Sequence, residues 1–289
     1  MKGPYLVIDV ALCENCHNCF LACKDEHVGN EWPGYAAPQP NAGPSWIRLE
    51  AKERGEYPTI DVAYLPIPCM HCADAPCMKA GTNAIYRRAD GIVMIDPLKA
   101  KGQKQMVDSC PYRAIVWNEE AETPQKCTMC AHLLDMGWEK TRCVQSCPTG
   151  ALSIHFLEPA DMEALVAAHG LQTLSPEKKT SPRVYYRHLY RYTHAFIGGS
   201  VAARVGTREE CVQGAEVTLL GEGQKRKARQ ITDAFGDFRF DGLAEGSGRY
   251  AILIEHAGYE PQRVEVDLET TACLGIIFLT KQFTSKASL

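Results

Sequence analysis

Fourteen cysteines stand in a chain of 289 residues, twelve of them between Cys13 and Cys147 and two, Cys211 and Cys273, beyond. The start, MKGPYLVIDVALCEN, reads as no secretory signal, and tight two-residue gaps point to metal rather than to a disulfide framework. The first group is Cys13, Cys16, Cys19 and Cys23, in the pattern C-x2-C-x2-C-x3-C. Three thiolates on one such loop can wrap three corners of an iron–sulfide cubane, while the next turn points the fourth away to a neighbouring cluster. Zinc competes for cysteine groups, but it takes only four ligands, commonly as two separated pairs. A run of four at these gaps favours iron–sulfur chemistry.

The same spacing is that of bacterial-type ferredoxins, with Lys24 where a proline commonly follows. A second group, Cys69, Cys72 and Cys77, lacks its fourth member, whose position is held by Gly81. The last group is Cys127 and Cys130, then, after an insertion, Cys143 and Cys147. Cys110 stands alone. Counted back from it at ferredoxin spacing, the missing companions fall on Ala100, Gln103 and Met106. Loss of one cluster from a ferredoxin-type pair would remove three cysteines from one motif and the fourth from its mate, because the fourth cysteine of each motif crosses over. That is the pattern here, and twelve cysteines then make three [4Fe–4S] sites. The expected sets are Cys13, Cys16, Cys19 and Cys147; Cys23, Cys127, Cys130 and Cys143; and Cys69, Cys72, Cys77 and Cys110. Without crossing over, the count stays at three and the first two sets change. With every iron held by a thiolate, such a chain transfers electrons and holds no catalytic residue of its own.

Other chemistry-bearing residues are discounted. His17 and His71 sit between cysteines and are expected to donate hydrogen bonds or face solvent rather than ligate. Pro111 and Pro148 fix the exit of the chain from a cluster loop. The carboxylates show no pairing specific enough for acid–base catalysis. Cys211 and Cys273 read as inert thiols, with a disulfide between them left open.

The elements that must position these groups are short. IDVA, GIVMID and RAIVWN read as strands beside cysteine loops. EPADMEALVAAHG predicts a helix with an apolar face of Met162, Leu165 and Val166 and a stop at Gly170. Residues 175–196, aromatic and basic, read as a strap over the first domain. From Gly198 onward, GSVAARV, AEVTLL, GDFRF, RYAILIEH, RVEVDL and LGIIFL alternate between turns, which suggests a small antiparallel sandwich. The expected fold is α+β: a ferredoxin-like multi-cluster domain (1–155), a helix and connecting strap (156–197), and an antiparallel β-sandwich or barrel (198–289). A net charge of −4 without a basic stripe argues against a nucleic-acid partner. No window is apolar enough for a membrane span, so a cytoplasmic protein is expected.

The cysteine framework, with PCMHCADAPC at residues 68–77, GIVMIDPLKAKG…SCPYRAI and KCTMCAHLLDMG…CVQSCPTGAL, resembles the iron–sulfur subunits of the dimethyl sulfoxide reductase group of molybdopterin enzymes. The C-terminal pattern GAEVTLL…TDAFGDFRFDGL…GRYAILIEHAGYE resembles carboxypeptidase-regulatory or transthyretin-like modules, a structural or docking role being expected. The first resemblance implies a large catalytic partner carrying a molybdenum (or tungsten) bis-pterin cofactor. FLACKDEHVGNEWPGY and PRVYYRHLYRY point within that group to members acting on phenolic aromatics. The competing readings are the small subunit of a resorcinol-type hydroxylase or another relative in the group, a free polyferredoxin, and a zinc-bearing structural protein.

Overall fold

The computed structural model describes residues 2–80 and 83–282, so Gly81 lies outside the described residues. The chain divides into two compact units: residues 1–51 with 63–189, and residues 52–62 with 190–289. Residues 156–189, expected as a connector, thus pack with the cysteine groups.

The first unit is framed by a three-stranded sheet. Strand β1 (Gly3–Asp9) lies between β8 (Leu152–Leu157), antiparallel, and β9 (Val184–Arg187), parallel. The expected strap therefore contributes a strand. Helix α5 (Pro159–His169) covers this sheet, burying Met162 with Tyr5 and Leu171 and partly burying Leu165 and Val166. It ends at Gly170, whose left-handed φ of 59° is a conformation that glycine adopts without strain. Between β1 and β8 run the cysteine loops and their short supports. These are α1 (Asn18–His27), the paired strands β2 (Ile47–Glu56) and β3 (Thr59–Pro68), and α2 (Pro76–Ala80). The hairpins β4 (Ile85–Arg87) with β5 (Val93–Ile95) and β6 (Val116–Asn118) with β7 (Thr123–Gln125) flank a 3-10 turn, Lys104–Ser109. Helices α3 (Ala131–Asp135) and α4 (Arg142–Gln145) follow. Among the described residues no helix is long and apolar enough to cross a membrane.

The second unit is a sandwich of two sheets. One holds β10 (Ala195–Val205) between β11 (Arg208–Cys211) and β14 (Asp237–Leu243), with β17 (Ala272–Leu279) also paired to β10. The other runs β13 (Arg226–Ile231), β12 (Glu216–Leu220), β15 (Gly248–Glu255), β16 (Gln262–Leu268). Their inner faces meet in an apolar core that includes Ile197, Val201, Val217, Leu219, Phe238 and Ile252. One expectation is corrected. The sandwich is not wholly antiparallel, because β10 and β17 pair in parallel, from Ile197↔Ala272 to Ala203↔Leu279. A parallel pair cannot be closed by a tight turn, and here most of the sandwich forms the connection.

The 52–62 segment of the β2–β3 pair belongs to this second unit and is anchored by charge. Arg54, its side chain 1% exposed, pairs with Asp61 (2.5 Å) and Asp241 (2.8 Å) and lies over the Phe196 ring. Arg191 and Arg239 reach the same Asp61 carboxylate. Burial opposes ionisation of Asp61, but hydrogen bonds from Arg191 and Arg54 and the charge of Arg239 hold its carboxyl well below the usual range. Gly55, at φ 82°, is required there, since a Cβ would collide with the Thr59 carbonyl oxygen.

Candidate metal centre

The short helices set the geometry. Cys19 and Cys23 stand one turn apart on α1, about 6 Å along its axis. Cys143 lies in α4 and Cys147 just past its end, again four residues apart. Helices α1 and α4 pack together, so each offers one sulfur at either end of their contact. A reduced version recurs: α2, carrying Cys77, packs against the 3-10 turn that ends at Cys110. The loops between cysteines are tight enough to force left-handed backbone on Asn15, His17, His71 and Met129. Such loops turn N–H groups toward sulfur. The amides of His71, Ala114 and Met129 donate to Cys69 (3.5 Å), Cys110 (3.4 Å) and Cys127 (3.3 Å).

None of these twelve cysteines is in a disulfide, nor is Cys211 or Cys273. Burial pushes the Cys13 thiol up, and Cys147 and Cys16 beside it add to this. Cys19 is pushed up to about 12, by burial and then by Cys143 and Cys13. Burial raises Cys23 and Cys130, the first with Cys127 and Cys143 alongside, the second with Cys143, Cys127 and Cys23. Cys127 reaches about 12, by burial and then by Cys143 and Cys69. Burial likewise lifts Cys72 to about 12 and Cys77 to about 11; Cys69 and Cys110 neighbour both. Sulfurs crowded in this way resist ionising together unless a cationic core lies among them, and a metal–sulfide core relieves that conflict. A small apolar cavity runs among Cys23, Cys69, Cys127, Cys130 and Cys143, walled by Leu6, Ile47, Pro68 and Val184. Soft donors around a dry space fit an iron–sulfur core. Among the described residues, no three His, Cys, Asp or Glu side chains are set to hold a single metal ion.

Neighbouring cysteines link the groups pairwise. Cys19 neighbours Cys143 as well as Cys13, and Cys127 neighbours Cys69 as well as Cys143. Cys16 is exposed to solvent, and Leu12 and Leu21, four and five residues from it in the chain, are 46% and 57% exposed. Where a fourth site would stand, Ala100 and Met106 are wholly buried and Gln103 is half-buried.

His17 is exposed. His71 is wholly buried: its Nδ1 accepts the Val93 amide hydrogen at 3.2 Å, which leaves the imidazole proton on Nε2, an atom with no protein partner. Burial, then the charges of Lys126 and Arg183, holds this ring neutral. Sequence reasoning missed Lys126, buried directly before Cys127. It also missed a polar backing to the middle group, where Glu26 binds His132 (3.0 Å) and Arg142 (3.1 Å). His27 packs there at a tilt against Trp46, and burial and then His132 lower the His27 pKa to about 3. The one signal was position, since Lys126 abuts a cysteine and Glu26 and His27 follow Cys23 by about one helical turn.

Comparison with known proteins assigns the chain. A family described as a 4Fe-4S dicluster domain matches residues 60–156, and a carboxypeptidase regulatory-like domain matches residues 197–275. The pyrogallol hydroxytransferase small subunit of Pelobacter acidigallici is 44% identical over 284 residues, 96% of this chain and all of that one. The chain belongs to the pyrogallol hydroxytransferase small-subunit family. More distant relatives are the iron–sulfur subunit of the Shewanella arsenate respiratory reductase and a subunit of the Salmonella typhimurium tetrathionate reductase. The first is 28% identical over 63% of this chain and 94% of that one; the second is 31% identical over 63% and 70%. As a pyrogallol hydroxytransferase small-subunit relative, the chain is an iron–sulfur electron-transfer subunit joined to a carboxypeptidase-regulatory-like β-sandwich.

Proposed function

We propose that the twelve cysteines hold three [4Fe–4S] clusters: one on Cys13, Cys16, Cys19 and Cys147, one on Cys23, Cys127, Cys130 and Cys143, and one on Cys69, Cys72, Cys77 and Cys110. The observation that supports this reading is proximity across motifs, with Cys147 beside Cys13 and Cys127 and Cys143 beside Cys23. Each cluster, when bound, supplies a site that takes up and releases one electron. The residues of this chain keep those sites apart at helical-turn spacing, donate N–H groups to the thiolates, and exclude water behind Leu6, Ile47 and Val184.

The chain serves a large partner that carries a molybdenum (or tungsten) bis-pterin cofactor and acts on a phenolic aromatic substrate; the 44% identity over nearly the whole chain supports this. The exposed Cys16 end, rimmed by Leu12 and Leu21, is the face offered to that partner. A reducing cytoplasm, where cysteines stay available for cluster assembly, is the compartment that suits such a chain. The test is a metal count on the complex purified anaerobically from its own host. About twelve iron per chain, matching sulfide, and molybdenum or tungsten on a larger companion are expected. The same iron with no companion and no pterin metal would favour a free polyferredoxin.

A further inference from the structure

Lys126 is a cation where none should rest unaided. It is 3% exposed, and its Nζ donates to two backbone carbonyls, those of Val93 and Cys127, the latter at 3.1 Å. Among the described residues no carboxylate is seen paired with it. A buried ammonium with only neutral acceptors is costly to hold, and one that persists is balanced by negative charge nearby. Its field reaches Cys77 and Cys110 on one side and Cys127 on the other, favouring the thiolate at each.

The ammonium is held in place, not merely nearby. Val93, in β5, accepts Lys126 on its carbonyl and donates its amide to His71, so one residue's backbone fixes both polar side chains between the second and third cysteine sets. A cluster on four thiolates is a net anion and gains a further negative charge on reduction. A fixed cation therefore favours the reduced form, and net charge is among the levers that set cluster potentials.

We propose that Lys126 is a shared positioning charge. It lies between the Cys23–Cys127–Cys130–Cys143 and Cys69–Cys72–Cys77–Cys110 sites, raises the reduction potentials of both, and leaves the Cys13–Cys16–Cys19–Cys147 site unaffected. This rests on the three-cluster reading above.

The experiment is redox potentiometry followed by electron paramagnetic resonance on the full chain in its native complex, comparing wild type with Lys126→Gln and Lys126→Arg. The three signals are told apart by variants that each lack one ligand. Iron and sulfide analysis of the wild type comes first, and fewer than three clusters overturns both readings. With three clusters present, Lys126→Gln shifts two midpoints to more negative potential, and Lys126→Arg leaves them near wild type. Midpoints that do not move, or three that move together, overturn the inference alone. Should Lys126→Gln lose iron, the loss must fall on those two sites and be absent in Lys126→Arg; loss from the Cys13 site also overturns it.

Discussion

Cys110 shows how much a single side chain can report. It stands apart in sequence, yet lies beside Cys69, with burial the main cause raising its thiol. Cys110→Ala is expected to remove the cluster of Cys69, Cys72 and Cys77, about one third of the iron, and to spare the other two spectroscopic signals. Loss of a different signal would sink the assignment. The cysteines were readable because ligand spacing is a local code: the loop that wraps a cluster must be a few residues long. Lys126 and His71 were not, because nothing local marks a lysine or histidine as buried. His71 was expected to donate a hydrogen bond or face solvent, and only the fold of β5 across it reveals an accepting Nδ1 and an orphaned Nε2–H.

At the scale of elements, the apolar strands of the sandwich announced themselves by alternation, and the helix ending at Gly170 by its face and its stop. Within the sandwich the missed strands were β11 and β13, REEC and RKARQI, which are polar because they lie at sheet edges, where charge discourages pairing with other chains. Strand β2 was missed for another reason. IRLEAKERGE alternates only over Ile47, Leu49 and Ala51 before turning wholly polar, and Arg54 is buried by ion pairing that only the folded chain supplies. Asp61→Asn is expected to destabilise the sandwich by about 3 kcal/mol at neutral pH, since it breaks a buried network while leaving its arginines in place. Hydrogen exchange at β10 and β14 would report it. The Asp61 carboxyl is held below its ordinary range, so its contribution is present above about pH 4 and is lost as acid carries the pH down through the folded value. The gap in urea stability between wild type and variant should therefore narrow on acidification. The 3-10 turn supports a different prediction. Cysteines introduced at Gly81, Ala100, Gln103 and Met106 should leave the iron count unchanged, because Ala100 and Met106 are already fully enclosed. A gain of about four iron per chain would show that the space for a cubane had been kept.

For the whole molecule, the exposed leucines at the Cys16 end carry the assembly prediction. Leu12→Glu together with Leu21→Glu should weaken retention of the large companion on a sizing column while leaving the iron content of the small chain intact. Retention as strong as wild type would move the docking face elsewhere. The α1–α4 contact has a consequence for how the protein is built in the cell. On the proposed assignment, α1 lends a sulfur to each of two sites and α4 with the turn just past it does the same, whereas the Cys69 site draws on α2 and the 3-10 turn and shares no helix with the others. Maturation should then proceed as two events. Emptying either helical site frees the scaffold of its neighbour, so under a chelator two thirds of the iron should leave as one cooperative phase and the remaining third on its own clock. A cell short of iron would accumulate a half-finished form of a defined kind, with its two helices unclipped and its third centre already made.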